Sequence, residues 1–372
     1  MVIGVPKEMH RHEHRVGLTP FAVHKLVSEG HVAYVEQGAG LAAHFTDQDF
    51  EKAGAQIVYG PMEPYHRADL VCRVSRPATE ELELLKPGGV ILAFQHLAVV
   101  PKENVERFME LGTTIIGYEV IRDELGYPPI RSPFSEMAGH MAIPLAAHYL
   151  QAECAGRGIL IGNVPGVPPA TVLVLGAGTV GATAARNALY DGAHVVMLDH
   201  DMRKLRRVSH ELLGRVVTQM VTEDRLHRHT RHADVVIGSV LIPGERAPFL
   251  VNEEMVENMK QGSVILDVSI DQGGCVETSR LTTLDQPTFV QHGVVHYCVP
   301  NMTANVPRTA SRVLATAALP YVDALATKGL KQALRDDPGF AAGVFIFEGQ
   351  LVHQGLGEHH RLPVENLNDL LG

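Results

Sequence analysis

Three glycines in the stretch GAGTVG, namely Gly176, Gly178 and Gly181, follow the apolar run TVLVLG with the spacing G-x-G-x-x-G. That spacing suits a pyrophosphate. The first glycine permits a tight turn, the second lets the anion approach the backbone, and the third lets helix and strand pack closely. The helix that follows turns its first N–H groups toward the phosphates. Alone the motif is weak evidence. Here it follows a strand pattern, opens a helical one, and precedes Asp199 at the end of the next strand, HVVMLD. A carboxylate there accepts hydrogen bonds from a ribose 2′-hydroxyl and repels a 2′-phosphate, which favours NAD over NADP. Arg203 and Lys204 close by point the other way, and the alternative to a dinucleotide site is a glycine-rich turn that binds nothing.

Other residues have the right types for chemistry at strand ends. His96 closes the apolar strand GVILAFQ. It reads either as a satisfied, partly buried side chain or as a general acid–base, since its ordinary pKa lies near neutrality. Asp267 and Asp271 flank a stretch, LDVSIDQGG, where a strand runs into a glycine-rich loop. If the chain stays extended, alternation places Asp267, Ser269 and Asp271 on one face. Asp267 reads equally as a turn or cap residue, whereas Asp271 reads as functional. Arg15, just before VGLTP, is placed to turn its fork toward a carboxylate. VCRVSRP (71–77) reads as a covered strand ending at Pro77, yet it carries Arg73, Ser75 and Arg76. On an ideal strand Arg76 points away from the side shared by Arg73 and Ser75. The runs HRHEH (10–14), HRHTRH (227–232) and EHH (358–360) invite a metal reading. None has a second cluster at ligand spacing, and the first two contain arginine, which repels a cation. They read as solvated loops, and no metal site is expected.

The elements that must position these residues follow a regular rhythm. After TVLVLG and HVVMLD, the runs ADVVIGSV and SVILDVS read as further strands, each preceded by a helix-like segment, which predicts a parallel, doubly wound sheet. The N-terminal part repeats the pattern with VIGVPK, a helix over TPFAVHKLVSEG capped by Thr19, then VAYVEQ, ADLVCRV, GVILAFQ and GTTIIGYE. Long helices are expected over 135–153, beginning at Ser135, and over 305–334 despite Pro320. The reading is an α/β chain of two doubly wound, Rossmann-like domains linked by long helices, with a ligand cleft between them. One domain comprises 1–134 and 305–372, and the other 135–304. The 372 residues, 45% hydrophobic and 20% charged, suit two soluble cores. The net charge of −10 argues against nucleic acid, and no apolar run is long enough for a membrane span. Four scattered cysteines and no signal-peptide pattern suggest reduced thiols in the cytoplasm.

Several blocks together, IGVPKE, HRVGLTP, FQHLA, SPFSEMAG, GVPGVPPATVLVLGAGTVG, SVLIPGERAP, DVSIDQGGCVET and HYCVPNM, resemble the alanine dehydrogenase family, which is related to the NAD-binding part of proton-translocating transhydrogenase. The resemblance covers essentially the whole chain. It implies NAD in the middle domain, a homo-oligomer that is commonly a hexamer, and a small-molecule amino acid or 2-keto acid as substrate. It implies that Arg15 holds the substrate carboxylate and that His96 and Asp271 are catalytic. Implied cofactor contacts fall on Ser135, Thr179, Asp199, Lys204, Val240, Leu241, Arg280 and the stretch containing Val299, Asn301 and Met302; Val221 stands where the family has a serine. The chain departs from the family at residues 73–77. The family reads KVKEP there, and its second lysine contacts substrate. This chain reads RVSRP, with Ser75 at the lysine's place and Arg76 at the glutamate's. Three explanations are open. Arg76 swings in to supply the charge; Ser75 makes room for a larger or more polar substrate; or the protein binds NAD(H) without amino-acid turnover, as the transhydrogenase domain does. Retention of Arg15, His96 and Asp271 favours an enzyme, with Arg73, Ser75 and Arg76 shaping specificity.

Overall fold

The computed structural model describes residues 1–241 and 246–372; positions 242–245, inside the SVLIPGERAP stretch, lie outside the described residues. The chain forms two compact units, Met1–Phe134 with Ala304–Gly372, and Ser135–Thr303. The first unit begins with β1 (Val2–Val5), β2 (Val32–Glu36), β3 (Gln56–Val58), β4 (Leu70–Ser75), β5 (Val90–Phe94) and β6 (Thr114–Gly117). The second contains β7 (Thr171–Leu175), β8 (His194–Asp199), β9 (Val217–Met220), β10 (Val235–Gly238), β11 (Val264–Asp267), β12 (Thr288–Gln291) and β13 (Val294–Tyr297). β14 (Val344–Phe347) and β15 (Gln350–Leu351) then complete the first unit's sheet.

The sheet orders are β15-β14-β6-β5-β4-β1-β2-β3 and β12-β13-β11-β10-β7-β8-β9. In each unit the first six parallel strands follow the doubly wound Rossmann order, winding outward from the first strand and then reversing. Antiparallel strands cap both sheets: β14 pairs with β6, and β12 with β13. The reversal falls between β1 and β4 in one unit and between β7 and β10 in the other, and ligands of such sheets bind outside the carboxyl ends of strands at that point. Period-two alternation builds the second unit's core. Val172 and Val174 of β7 pack into one cluster with Val195 and Ile237, while Leu173 and Leu175 pack into another with Val196 and Val236.

Several local expectations are corrected. The first long helix covers Arg131–Tyr149 and starts four residues before Ser135. Pro133 sits in its first turn, where a missing N–H has no intrahelical partner to lose. The second covers Pro307–Lys328 and stops at Gly329, whose φ of 80° ends the ladder before a separate helix, Leu330–Asp336. Thr19 holds the N-cap position of the helix Pro20–Ser28, but its hydroxyl makes no cap bond. HRHTRH lies within the helix Glu223–His232 and EHH within Gln354–His360, not in loops. Thr222 caps the former, and its His and Arg side chains crowd the last turn, where the helix dipole favours cations. All four cysteines are free thiols, and no described helix is long and apolar enough to cross a membrane.

Candidate functional site

In the second unit the glycine-rich turn sits at the carboxyl end of β7, at the strand-order reversal. Its three glycines differ in what a Cβ would meet. Gly176 has φ +101°, and Gly181 would bring a Cβ to 2.0 Å from the Gly176 carbonyl oxygen. Gly178 would meet nothing within 4 Å, so its bareness serves open space and not packing. Thr179 then starts the helix Thr179–Asp191. Such a turn is a cradle for an anion, with a helix N-terminus behind it.

Asp199 ends β8 with its carboxylate buried. Oδ2 accepts the Ala177 N–H at 2.6 Å and Oδ1 that of Asp201 at 2.7 Å, so the carboxylate braces the turn. An ionised carboxylate has about four acceptor sites, which leaves capacity for a ribose hydroxyl on each oxygen. Arg203 is turned back onto Asp201, Nη2 to Oδ2 at 3.2 Å, while Lys204 lies half-buried on the same helix, Met202–Glu211. Arg207, which the sequence reading missed, donates from Nη2 to the Ala177 carbonyl at 3.0 Å.

The strand-end alternation expected for Asp267, Ser269 and Asp271 does not occur, because β11 stops at Asp267 and a 3-10 turn covers Val268–Gln272. Asp267 is buried and takes the N–H groups of Ser269, Cys275 and Val276 at 3.1, 2.9 and 3.2 Å, the work of a cap. Ser269 accepts the Val240 N–H at 2.9 Å and thereby ties the end of β10 to this turn; Leu241 beside it is exposed. Asp271 is exposed, and its Oδ1 accepts the N–H of Asn301 at 2.9 Å. Asn301 holds a left-handed φ of 50° between buried Val299 and Met302. Arg280 is exposed and stacks its guanidinium 4.2 Å from the Phe289 ring centre. Ser135 is half-buried in the first turns of the helix Arg131–Tyr149.

In the first unit, Arg15, Ser75 and His96 gather at the carboxyl ends of β4 and β5. Gly17 allows this approach, since a Cβ there would lie 2.3 Å from the Cys72 carbonyl oxygen, and Ser311 pins Val16 by accepting its N–H at 3.0 Å. Arg15 is buried and forks onto Glu13, Nε donating to Oε1 at 2.7 Å and Nη2 to Oε2. Ser75 Oγ donates to the same Glu13 Oε2 at 3.1 Å. Burial alone would raise the Glu13 carboxyl; the Arg15 bonds and charge outweigh it and hold it below the usual range. Glu13 is therefore a buried ion-pair partner and not part of a solvated loop. Its run of histidines masked it in the sequence.

His96 stands exposed one residue beyond Gln95, in a left-handed backbone conformation with φ 45°. Glu119 fixes this corner by accepting the His96 N–H at 2.7 Å and the Gln95 N–H at 3.1 Å. Phe94 stacks 6.2 Å from the His96 ring and meets Phe134 edge-on at 5.2 Å.

Arg73 does not join this group. It is fully buried and donates to Glu81 Oε1 at 2.7 Å, to Glu8 Oε2 at 3.0 Å and to the Tyr65 hydroxyl. Glu8 also accepts the Val74 N–H at 2.7 Å. Burial would lower the guanidinium, but Glu8, Tyr65 and Glu81 raise it above its ordinary value, while burial raises the Glu8 carboxyl. Arg73, expected to touch substrate, is instead enclosed by these partners, the position of a brace. The alternation rule fails at this point because the β4–β5 register shifts between Cys72 and Ser75.

Among the described residues, two other groups bring possible metal ligands together, His148–Glu153–Cys154 and Glu253–Glu257–His292, and neither includes the three histidine runs.

The family models "Alanine dehydrogenase/PNT, N-terminal domain" and "Alanine dehydrogenase/PNT, C-terminal domain" match residues 4–138 and 142–354. The chain is 43% identical to the alanine dehydrogenase of Halomonas elongata, covering 100% of both chains. It is 42% identical to that of Mycobacterium tuberculosis, covering 98% of each. A solved L-alanine dehydrogenase superposes with a TM-score of 0.92 at 40% identity, over 97% of this chain and 99% of that one. A transhydrogenase from Sinorhizobium meliloti does so at 0.80 and 26% identity, over 95% and 99%. With relatives matched end to end and both family models in place, this chain belongs to the alanine dehydrogenase/PNT family.

Proposed function

We propose that the protein is an NAD-dependent amino-acid dehydrogenase of the alanine dehydrogenase kind. It converts an L-amino acid, NAD⁺ and water into a 2-keto acid, ammonium, NADH and a proton, or runs the reverse. The observation that carries this reading is the group at the ends of β4 and β5: Arg15 oriented by Glu13, Ser75 on the same carboxylate, and an exposed His96 just past the neighbouring strand.

The glycine cradle and Asp199 fit a dinucleotide. Gly176, Gly178, Thr179 and Gly181 would take the pyrophosphate and Asp199 the ribose. Ser135, Lys204, Val240, Leu241, Arg280, Val299, Asn301 and Met302 would supply the remaining contacts. NAD, when bound, supplies the hydride acceptor. Arg15 would hold the substrate carboxylate, its fork aimed by Glu13, and so orient the α-hydrogen. His96 would exchange a proton with the substrate oxygen or the imine nitrogen, and Asp271 would position water. Ser75 stands where the family carries lysine, and its neutral hydroxyl is engaged with Glu13, so charge for the substrate falls to guanidinium groups. Free thiols fit a cytoplasmic enzyme, and a homo-hexamer is the expected assembly, read by light scattering.

The test is NADH consumption with ammonium and a panel of 2-keto acids. Turnover is expected, with His96→Ala lowering kcat by about 10²- to 10⁴-fold while NADH still binds. Silence across the panel by a wild-type protein that binds NADH contradicts the reading and leaves a non-catalytic NAD(H)-binding protein.

A further inference from the structure

Two arginines around Glu119, Arg76 and Arg131, supply more positive charge than a simple monocarboxylate substrate needs. Arg76 directly follows β4 and Arg131 opens the helix Arg131–Tyr149; both are half-buried in the first unit. Neither guanidinium has a hydrogen-bonded or ion-paired acceptor among the described residues. Arg122 lies near Arg131 but donates to the carbonyls of Glu119 and Ile121. The carboxylate that both Arg76 and Arg131 feel is Glu119, whose oxygens are already committed to the N–H groups of Gln95 and His96. Arg15 meanwhile is matched by Glu13.

Chain geometry places the backbones of both residues beside the candidate site. The Arg76 N–H donates to the Phe94 carbonyl at 3.0 Å, one strand from Ser75 and two residues before His96. Arg131 lies one helical turn before Phe134, whose ring meets Phe94 edge-on. A cation in the first turn of a helix also opposes the helix dipole, so Arg131 stands where an anion and not a cation is favoured. Half-burying unpaired guanidiniums is costly unless a partner arrives. Their planar forks match carboxylates in two-point geometry.

We propose that Arg76 and Arg131 bind a second carboxylate of the substrate, so that the preferred keto acid is a four- or five-carbon 2-keto diacid and the product its acidic amino acid. The balanced step is keto diacid, ammonium, NADH and a proton giving amino diacid, NAD⁺ and water. The identity of the reaction rests on the dehydrogenase reading; the diacid site does not. A site with guanidiniums waiting for a carboxylate rejects a neutral analogue strongly, because that analogue leaves them unpaired.

The experiment compares length-matched pairs: oxaloacetate with 2-oxobutanoate, and 2-oxoglutarate with 2-oxopentanoate. For each, kcat/KM is measured with ammonium and NADH, and affinity is measured by calorimetry with the dinucleotide-loaded protein. At least one diacid is expected to exceed its neutral match by about 10²-fold or more in kcat/KM, consistent with one lost charged contact. Arg131→Gln and Arg76→Gln should each shrink that ratio by at least tenfold. Equal turnover and equal affinity within both pairs overturn the proposal, as does a ratio that neither variant changes. If no keto acid turns over, yet a diacid binds at least tenfold tighter than its match and Arg131→Gln removes the difference, the diacid site stands and the dehydrogenase reading falls.

Discussion

At the scale of single residues, the two arginines flanking Val74 and Ser75 have unlike roles although only Arg76 lies past the strand. Arg73 is sealed between Glu8, Glu81 and Tyr65, whereas Arg76 is half-buried with its guanidinium uncommitted among the described residues. Removing one member of a buried ionic group leaves the others uncompensated, which costs about 3–5 kcal/mol. Arg73→Met should therefore lower the stability of the first unit by that amount, measured by denaturant unfolding. Unchanged stability with a raised KM would return Arg73 to the substrate. This distinction was not legible in the sequence. Glu8 lies 65 residues from Arg73, and the register shift in β4 that breaks simple alternation leaves no local mark. His96 and Asp271 could be singled out because each follows a short apolar strand pattern, and Arg15 because it precedes the apolar run VGLTP. Glu13 could not, because it lay hidden among histidines and arginines that read as a solvated loop.

At the scale of elements, the strand–turn–helix around GAGTVG was legible because its requirements are local: a left-handed glycine, an open one and a close-packed one in fixed order. Those roles predict different failures. Gly178→Ala places a methyl group into open space where a pyrophosphate would approach. It should leave thermal unfolding near the wild-type value and weaken NADH binding about tenfold or more, by loss of charge-assisted hydrogen bonds. Gly181→Ala collides with the Gly176 carbonyl and should lower both. Equal NADH affinity in the wild type and Gly178→Ala would contradict the cradle. The hairpins β12–β13 and β14–β15 were missed, although each carries a residue–glycine pair with positive φ, His292–Gly293 and Glu348–Gly349. Those pairs are signals of tight two-residue turns, but without asparagine or aspartate before the glycine they do not stand out. The 3-10 turn after Asp267 was missed for a different reason. SVILDVS reads as one apolar run, and only Asp267 folding back onto three N–H groups ends it.

At the scale of the whole molecule, two units share the same six-strand winding, and stability responds to pH through buried groups. His296 of β13 is fully buried; its Nδ1–H donates to the Val294 carbonyl, so Nε2 accepts from the Thr278 hydroxyl, a neutral imidazole. Burial lowers its pKa from 6.5 to about 4. Between those values the unfolded chain binds a proton that the folded one refuses, so stability is full above about pH 6.5 and falls as pH drops toward 4. The size is about 3 kcal/mol at 1.36 kcal/mol per unit. Unfolding of the second unit should show this loss, and His296→Gln should flatten it; equal slopes in both proteins would refute the assignment. As an amino-acid dehydrogenase, the molecule should move a hydride between a dinucleotide and the α-carbon of an amino acid. The most direct measurement supplies NADH deuterated at the transferring position, ammonium and the best keto acid, and reads the amino-acid product by mass spectrometry and NMR. One deuterium is expected at Cα, formed with His96 present and suppressed in His96→Ala. An amino acid without deuterium at Cα, or NADH that is bound but never oxidised by any keto acid, would contradict it.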